Sequence, residues 1–64
     1  MKITGETPNE KSYIDLSTVL TLLGRVDETQ LPRAQQNALN DITIAVLRLK
    51  MDLLVVISEE QDKA

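Results

Sequence analysis

The chain has 64 residues, a net charge of −3, and neither cysteine nor histidine. A chain this short makes one small domain, and it can form no disulfide, no thiolate zinc site and no histidine-dependent catalytic site. We therefore predict a single domain over residues 1–64 that is not an enzyme and has no catalytic residue, cofactor or metal. The mild negative charge also argues against nucleic acid as the main partner.

The acidic pairs Asp27–Glu28 and Glu59–Glu60 come closest to a catalytic or metal-binding signal. Paired carboxylates can do acid–base or metal chemistry, but side chains adjacent in sequence diverge on a helix, and no third ligand accompanies either pair. We interpret both pairs as solvated surface charge. Asp27 or Thr29 is also available to cap a following helix.

Residues 1–11 form the first segment, which we interpret as a strand and a turn. Lys2–Thr4 fits a short strand closed by Gly5, or alternatively a frayed terminus, and Thr7–Asn9 form a turn-like cluster. The segment lacks the apolar run that is typical of a signal peptide. We therefore expect a cytoplasmic protein.

Residues 12–24 are predicted to form a first, short helix. Ser12 and Asp15 approximate a capping box at its start, and Gly24 suits a left-handed cap at its end. The apolar residues between these signals recur at helical spacing and form one face: Tyr13, Leu16, Val19, Leu20 and Leu23.

Residues 31–58 are predicted to form a long second helix, followed by a polar tail over residues 59–64 that frays. Pro32 fits the first turn, and no glycine or proline interrupts the span from Arg33 to Ser58. The alternating stretch LRLKMDL also fits a strand, but its residues favour a helix, and an uninterrupted strand of this length would far exceed the usual 3–10 residues or so. A membrane span is not expected, because the apolar run 42–57 carries three charges and falls short of the roughly 20 residues needed.

At 100° per residue, the apolar residues of the long helix fall into two groups on nearly opposite sides. The first group is Leu31, Ala38, Leu39, Ile42, Ala45, Val46, Leu49, Leu53, Val56 and Ile57. The second group is Ile44, Leu47, Met51, Leu54 and Val55. Two polar seams separate the groups, one with Asp41, Arg48 and Asp52 and the other with Thr43 and Lys50.

The short helix offers one apolar face, which can cover part of the first group but not both groups. The uncovered surface predicts a homodimer, since burying it can exceed an association cost of about 4–15 kcal/mol. A cleft between the helices would also fit an amphipathic helix of another protein. The spacing leaves open whether the two long helices run parallel or antiparallel. The residues predicted to form the dimer or partner interface are Ile44, Leu47, Met51, Leu54, Val55, Leu49 and Leu53.

A strand followed by two helices in a dimer is also the layout of ribbon-helix-helix DNA-binding regulators. Those proteins place an alternating, usually basic strand close before the first helix, whereas Lys2–Thr4 has one lysine and about seven residues separate it from Ser12. The basic residues Arg48 and Lys50 project to different seams of the long helix. We therefore favour a non-enzymatic protein–protein interaction module, a small regulator or adaptor, with a ribbon-helix-helix-like transcriptional regulator as the alternative.

In size and layout, the whole chain resembles a group of small early lytic-development proteins of lambdoid bacteriophages, which are encoded between the exonuclease and excisionase genes. The resemblance is carried by the N-terminal segment, by SYIDLSTVLTLLG as a short helix and by LPRAQQNALNDITIAVLRLKMDLLVVISEE as a long one. It implies an intertwined homodimer of two helices and a strand per chain. It also implies a role in promoting lysis, in the host cytoplasm, through binding a host or phage protein.

Overall fold

The computed structural model describes residues 2–63, which form an antiparallel hairpin of two helices. Helix α1 spans Pro8–Gly24, a short 3-10 turn spans Glu28–Gln30, and helix α2 spans Arg33–Lys63. The antiparallel course follows from contacts at both ends: the Asn9 amide donates a hydrogen bond to Glu60, while Leu23 and Leu39 line a shared hollow near the turn. The prediction of a mainly helical chain with a short and a long helix is confirmed.

Helix α1 begins at Pro8, four residues before the predicted start at Ser12. Thr7 is the N-cap, its hydroxyl accepting a hydrogen bond of 3.2 Å from the Glu10 backbone N–H, and Pro8 occupies the first turn. A threonine followed three residues later by a glutamate is a stronger capping box than Ser12 with Asp15. The residues interpreted as a turn at Thr7–Asn9 therefore start the helix, and that prediction was wrong.

The left-handed cap predicted at Gly24 was also wrong. Helix α1 ends through Arg25, which has a right-handed φ of −83°. The Arg25 backbone N–H donates to the Leu22 carbonyl at 3.1 Å, and the Val26 N–H donates to the Leu23 carbonyl at 3.2 Å. The left-handed glycine is Gly5, with a φ of +82°, where the chain bends back toward α1. A Cβ at Gly5 would lie 3.1 Å from the Ile14 Cδ1 atom, so both the backbone and the space favour glycine there.

The start of α2 differs from the prediction in two respects. Asp27 caps the 3-10 turn, accepting a hydrogen bond of 3.2 Å from the Thr29 backbone N–H, and does not cap α2. The helix begins at Arg33 instead of residue 31, because the Pro32 carbonyl accepts the first helical bond, from the Gln36 N–H at 3.0 Å.

The polar tail predicted over residues 59–64 is helical as far as Lys63. Two contacts hold it: Glu60 accepts the Asn9 bond, and the Gln61 side chain donates to the Lys2 carbonyl at 2.7 Å. Helix α2 therefore has 31 residues, about 46 Å at 1.5 Å per residue, which accounts for the 48 Å long axis of the molecule. Tertiary contacts, which composition does not reveal, keep this end ordered.

The carboxylate of Glu10 fastens the N-terminal arm, residues 2–6, to α1. It accepts hydrogen bonds from the Thr4 backbone N–H at 2.7 Å, the Thr4 hydroxyl at 3.0 Å and the Gly5 N–H at 3.3 Å, and the side chain is 6% exposed. A strand needs a neighbouring strand, and residues 2–63 of a single chain contain none. The strand at Lys2–Thr4 therefore stays a prediction that involves a second copy.

A single hairpin has very little core. Among residues 2–63, Ile57 is the one buried hydrophobic side chain, at 1% exposure. The accessible surface is 4974 Å², against about 4100 Å² for a folded monomer of this mass. The radius of gyration is 14.5 Å, against about 11 Å for a compact domain of this length. Neither helix in the described range combines the length and apolarity needed to cross a membrane.

Candidate interaction surface

The face of α2 that α1 covers can be read from the less exposed positions of α2. They recur every three or four residues, which is one helical stripe. They are Gln36, Leu39, Thr43, Val46, Lys50, Leu53, Leu54, Ile57, Ser58 and Gln61. The stripe runs along the seam that contains Thr43 and Lys50, between the two apolar groups. The expectation that the short helix covers part of the first group but not both groups agrees with this pattern. Helix α1 lies over the seam and covers Leu39, Val46, Leu53 and Ile57 of the first group but only Leu54 of the second.

Thr43 and Lys50, the two polar residues of the seam, are both accommodated in this stripe. The Thr43 hydroxyl donates to the Leu39 carbonyl one turn earlier, at 2.9 Å, which leaves its methyl group to pack. The Lys50 ammonium lies 5.0 Å from the centre of the Tyr13 ring on α1. Hydropathy scores both residues as polar and so hides this stripe, although its spacing of three and four residues is present in the sequence.

Helix α1 leaves two sides of α2 exposed, and they can be identified from the consecutive residues Leu49, Lys50 and Met51. Lys50 points at α1, and its neighbours lie about 100° away on either side of it. Leu49 is 55% exposed and Met51 is 63% exposed. The same arrangement recurs one heptad earlier, where Ile42 and Ile44 flank Thr43. The hairpin is therefore a two-helix layer with exposed aliphatic side chains on both of its broad sides.

One broad side, the groove face, holds a groove between the helices. The groove has a volume of about 420 Å³ and is lined by Asn9, Ser12, Asp15, Leu16, Val19, Leu49 and Leu53. Its floor is aliphatic, and the Asp15 carboxylate stands on its α1 rim. Farther along α2, Ile42 and Val56 extend the apolar surface beyond the groove. The face can therefore accept a segment of apolar side chains.

The other broad side, the Met51 face, consists of Ile44, Leu47, Met51, Leu54 and Val55 on α2. Leu54 is half-buried and the other four are exposed. On α1 the same side carries Thr21, because Val19 and Thr21 flank the half-buried Leu20 in the same way, and one heptad earlier it carries the exposed Ile14 beside Gly5 of the arm. The face is thus aliphatic along α2, whereas along α1 it combines one exposed aliphatic side chain with hydroxyl groups and the bound arm.

The seven residues predicted as an interface are divided between these faces. The five of the second group form the Met51 face, whereas Leu49 and Leu53 line the groove on the opposite side. The structure therefore does not bring the seven together into one site. Sequence analysis missed the α1 residues of the groove, Leu16 and Val19, although both were assigned to the apolar face of the first helix.

Three acidic side chains in the described range serve local structure. Asp27 caps the 3-10 turn, Glu60 accepts from Asn9, and Glu10 holds the arm. Hydrogen bonds from Thr4, above all from its backbone N–H, keep the pKa of Glu10 below its ordinary value. Within residues 2–63, no group of three or more His, Cys, Asp or Glu side chains could hold a metal ion. The chemistry that this surface offers is apolar contact.

No protein-family model, curated protein or solved structure matches the chain. The interpretation of its function therefore depends on the two faces.

Proposed function

We propose that the protein is a non-enzymatic protein–protein interaction module, a small regulator or adaptor, that acts as a homodimer through the Met51 face. The excess surface of the single hairpin is the observation that supports this most. The chain exposes roughly 850 Å² more than a compact monomer of its mass, and one partner in a standard interface buries about 800 Å². A second copy of the chain can bury this excess surface without requiring any other molecule.

The groove face remains outside such a dimer, because it lies on the opposite side of the two-helix layer. It is the proposed cleft for another protein. Leu16, Val19, Leu49 and Leu53 give it an aliphatic floor that suits the apolar side of an amphipathic helix. Self-association and partner binding then use separate surfaces, so that one does not block the other.

The resemblance to early lytic-development proteins of lambdoid phages suggests the setting for this module. On that proposal, the dimer binds a host or phage protein and favours lysis. The N-terminal arm already lies against α1 through Glu10, which holds it near the end of the hairpin.

A ribbon-helix-helix-like DNA regulator is the second candidate. One observation favours it: α1 starts at Pro8, so the gap after Lys2–Thr4 is shorter than the start predicted at Ser12 implies. Against it, the Thr4 backbone N–H is already bonded to Glu10, and the net charge is −3. A mobility-shift series at low salt separates the candidates, since a discrete, salt-sensitive complex with duplex DNA would favour the regulator.

Sedimentation equilibrium of the full chain tests the proposed dimer. We expect two copies per particle, and dissociation when Leu47→Glu and Met51→Glu are combined, because both side chains lie exposed on the Met51 face. The matched control is Leu49→Glu with Val56→Glu, which adds the same charge to the groove face and is expected to stay dimeric. A monomeric wild-type chain at micromolar concentration, or a dimer lost only in the control, would contradict the proposal.

Affinity capture with matched baits tests the groove. A protein retained by the wild-type dimer and lost with Leu49→Glu, while that variant remains dimeric, would place the partner in the cleft. Retention by Leu49→Glu and loss with the Met51-face variant would place partner binding on the Met51 face and would contradict the proposed cleft.

A further inference from the structure

We propose that the two copies stack through their Met51 faces with their α2 helices antiparallel, and that Arg48 of each copy lies beside Asp52 of the other. The inference rests on the proposed homodimer and specifies its geometry. Three observations support it: the unequal chemistry of α1 and α2 on this face, the position of the aliphatic residues along α2, and the position of the charges beside them.

The chemistry of the Met51 face selects which helices meet. Along α2 the face has five aliphatic side chains, whereas along α1 it presents Thr21 next to Ser17, with Ile14 as the one exposed aliphatic side chain on this side. Both α1 hydroxyls are satisfied within their own helix, Ser17 by the Tyr13 carbonyl at 3.0 Å and Thr21 by the Ser17 carbonyl at 3.1 Å. They need no partner from a second copy. The apolar gain is therefore largest when α2 packs on α2, with α1 packing on α1.

This pairing fixes the direction of the two-fold axis. When two flat hairpins stack face to face, an axis along the helices places each α2 over the α1 of the other copy. An axis across the helices, within the interface plane, places α2 over α2 and reverses its direction. Stacking that matches aliphatic to aliphatic across the whole face therefore makes the two α2 helices antiparallel.

The register follows from the extent of the aliphatic group. Its outermost members are Ile44 and Val55, so its midpoint falls between residues 49 and 50. Full overlap of two antiparallel copies places Ile44 of one opposite Val55 of the other, with Leu47 and Met51 meeting near the centre. About three helical turns of contact result from this single alignment.

The charges on the rim agree with the same alignment. Arg48 and Asp52 are exposed in the seam beside the Met51 face. The midpoint between these two residues lies within about one residue, or 1.5 Å of rise, of the midpoint of the aliphatic group. Antiparallel helices therefore bring each Arg48 to an Asp52 of the other copy. Parallel helices in register would instead set Arg48 against Arg48 and Asp52 against Asp52. Rim charges of this kind determine orientation more than affinity.

Site-specific cross-linking tests the geometry directly, because the chain has no cysteine of its own. We expect a short bis-maleimide to join Ile44→Cys to Val55→Cys when the two variants are mixed as full chains, and to join neither variant to itself. Two copies of residue 44 would be about 16 Å apart along antiparallel helices, beyond the reach of the linker. Leu49→Cys on the groove face is the control and is expected to stay uncross-linked.

The outcomes distinguish this inference from the proposed function. Efficient self-cross-linking of Ile44→Cys would mean parallel helices and would overturn the arrangement while leaving the dimer intact. Cross-linking through Leu49→Cys would overturn the choice of face. A wild-type chain that sediments as a monomer would overturn both proposals.

Charge exchange provides a second, independent test. Arg48→Asp is expected to raise the dimer dissociation constant about 5- to 30-fold, since two rim pairs are lost. Adding Asp52→Arg restores both pairs with reversed sign and should return the constant to within about threefold of wild type. Arg25→Asp, in the exposed connection, is the matched control for net charge. Failure of the double exchange to restore dimerisation would overturn the reciprocal pairing.

Discussion

The Lys50 ammonium lies 5.0 Å above the centre of the Tyr13 ring, and this pair joins the two helices across the middle of the hairpin. Tyr13 is the one aromatic residue in the chain. The lysine stem adds to the half-buried stripe of α2 while its charge meets the ring face. A residue that hydropathy would assign to solvent thus contributes to packing.

A double-mutant cycle measures this pair. Tyr13→Leu and Lys50→Met are expected to destabilise less together than the sum of their separate effects, with a coupling of about 0.5–1 kcal/mol. Urea unfolding of the four proteins gives the free energies. A coupling within error of zero would mean that the two side chains are near each other without interacting.

The two glycines provide a matched pair of substitutions with opposite expected signs. Gly5→Ala should destabilise the protein by about 1–2 kcal/mol, because its φ of +82° is left-handed and the new Cβ would crowd Ile14. Gly24→Ala should stabilise it by about 0.4–1 kcal/mol, because nothing lies within 4 Å and a helical backbone suits alanine. Thermal or urea unfolding reports both, and equal effects would contradict the assigned backbone conformations.

The hydrogen bonds to Glu10 predict acid sensitivity. Its folded pKa lies below the ordinary value of 4.5, so the folded state binds its proton less readily than the unfolded chain does. The stabilising contribution is therefore fully present above about pH 4.5 and is lost as the pH falls through the lowered folded pKa.

Comparison with Glu10→Gln isolates that contribution. The difference in unfolding free energy between wild type and Glu10→Gln should be largest near neutral pH and shrink below pH 4.5. Glu6→Gln, on the exposed arm, is the control for the removal of one carboxylate. A difference that stays constant into acid would mean that the Thr4 bonds to the carboxylate do not favour its charged form.

Alanine substitutions at Ile57 and Val56 compare the stability contributed by the small core with that contributed by the exposed groove face. Ile57→Ala should cost about 2–4 kcal/mol because the side chain is 1% exposed. Val56→Ala, on the groove face, should cost less than about 1 kcal/mol, because the Val56 side chain is 42% exposed. Comparable losses for both, measured by urea unfolding, would indicate that the groove face is covered in solution.

The two helices were predictable because their signals are local: apolar residues at helical spacing, no breaker between Arg33 and Ser58, and good helix formers through the ambiguous LRLKMDL stretch. The start of α1 was missed because Pro8 and Asn9 are also turn residues. The Thr7–Glu10 capping box, which decides between the two interpretations, was present in the sequence but was not recognised.

The packing seam was harder to predict because it depends on contacts between the helices. Thr43 and Lys50 count as polar in any helical projection. The hydrogen bond from Thr43 to the Leu39 carbonyl and the cation–π contact of Lys50 with Tyr13 make them suitable for a covered stripe. The helical projection already placed Leu49 and Leu53 in the first group, but the predicted interface joined them to the second group on the opposite side. The two groups were therefore predictable from the sequence, whereas the residues of each group that stay exposed depended on the position of α1.

The bond from the Gln61 side chain to the Lys2 carbonyl brings the two extremities of the described polypeptide together at one pole of the hairpin. Fluorophores or fusion partners attached at either extremity would consequently emerge from that same pole. A short linker could join these two extremities, and new termini could be created in the connection between Arg25 and Pro32. The resulting circular permutant would leave both broad sides unobstructed. In an antiparallel pair the labelled poles would point away from each other, so energy transfer between them would report the orientation without altering either face.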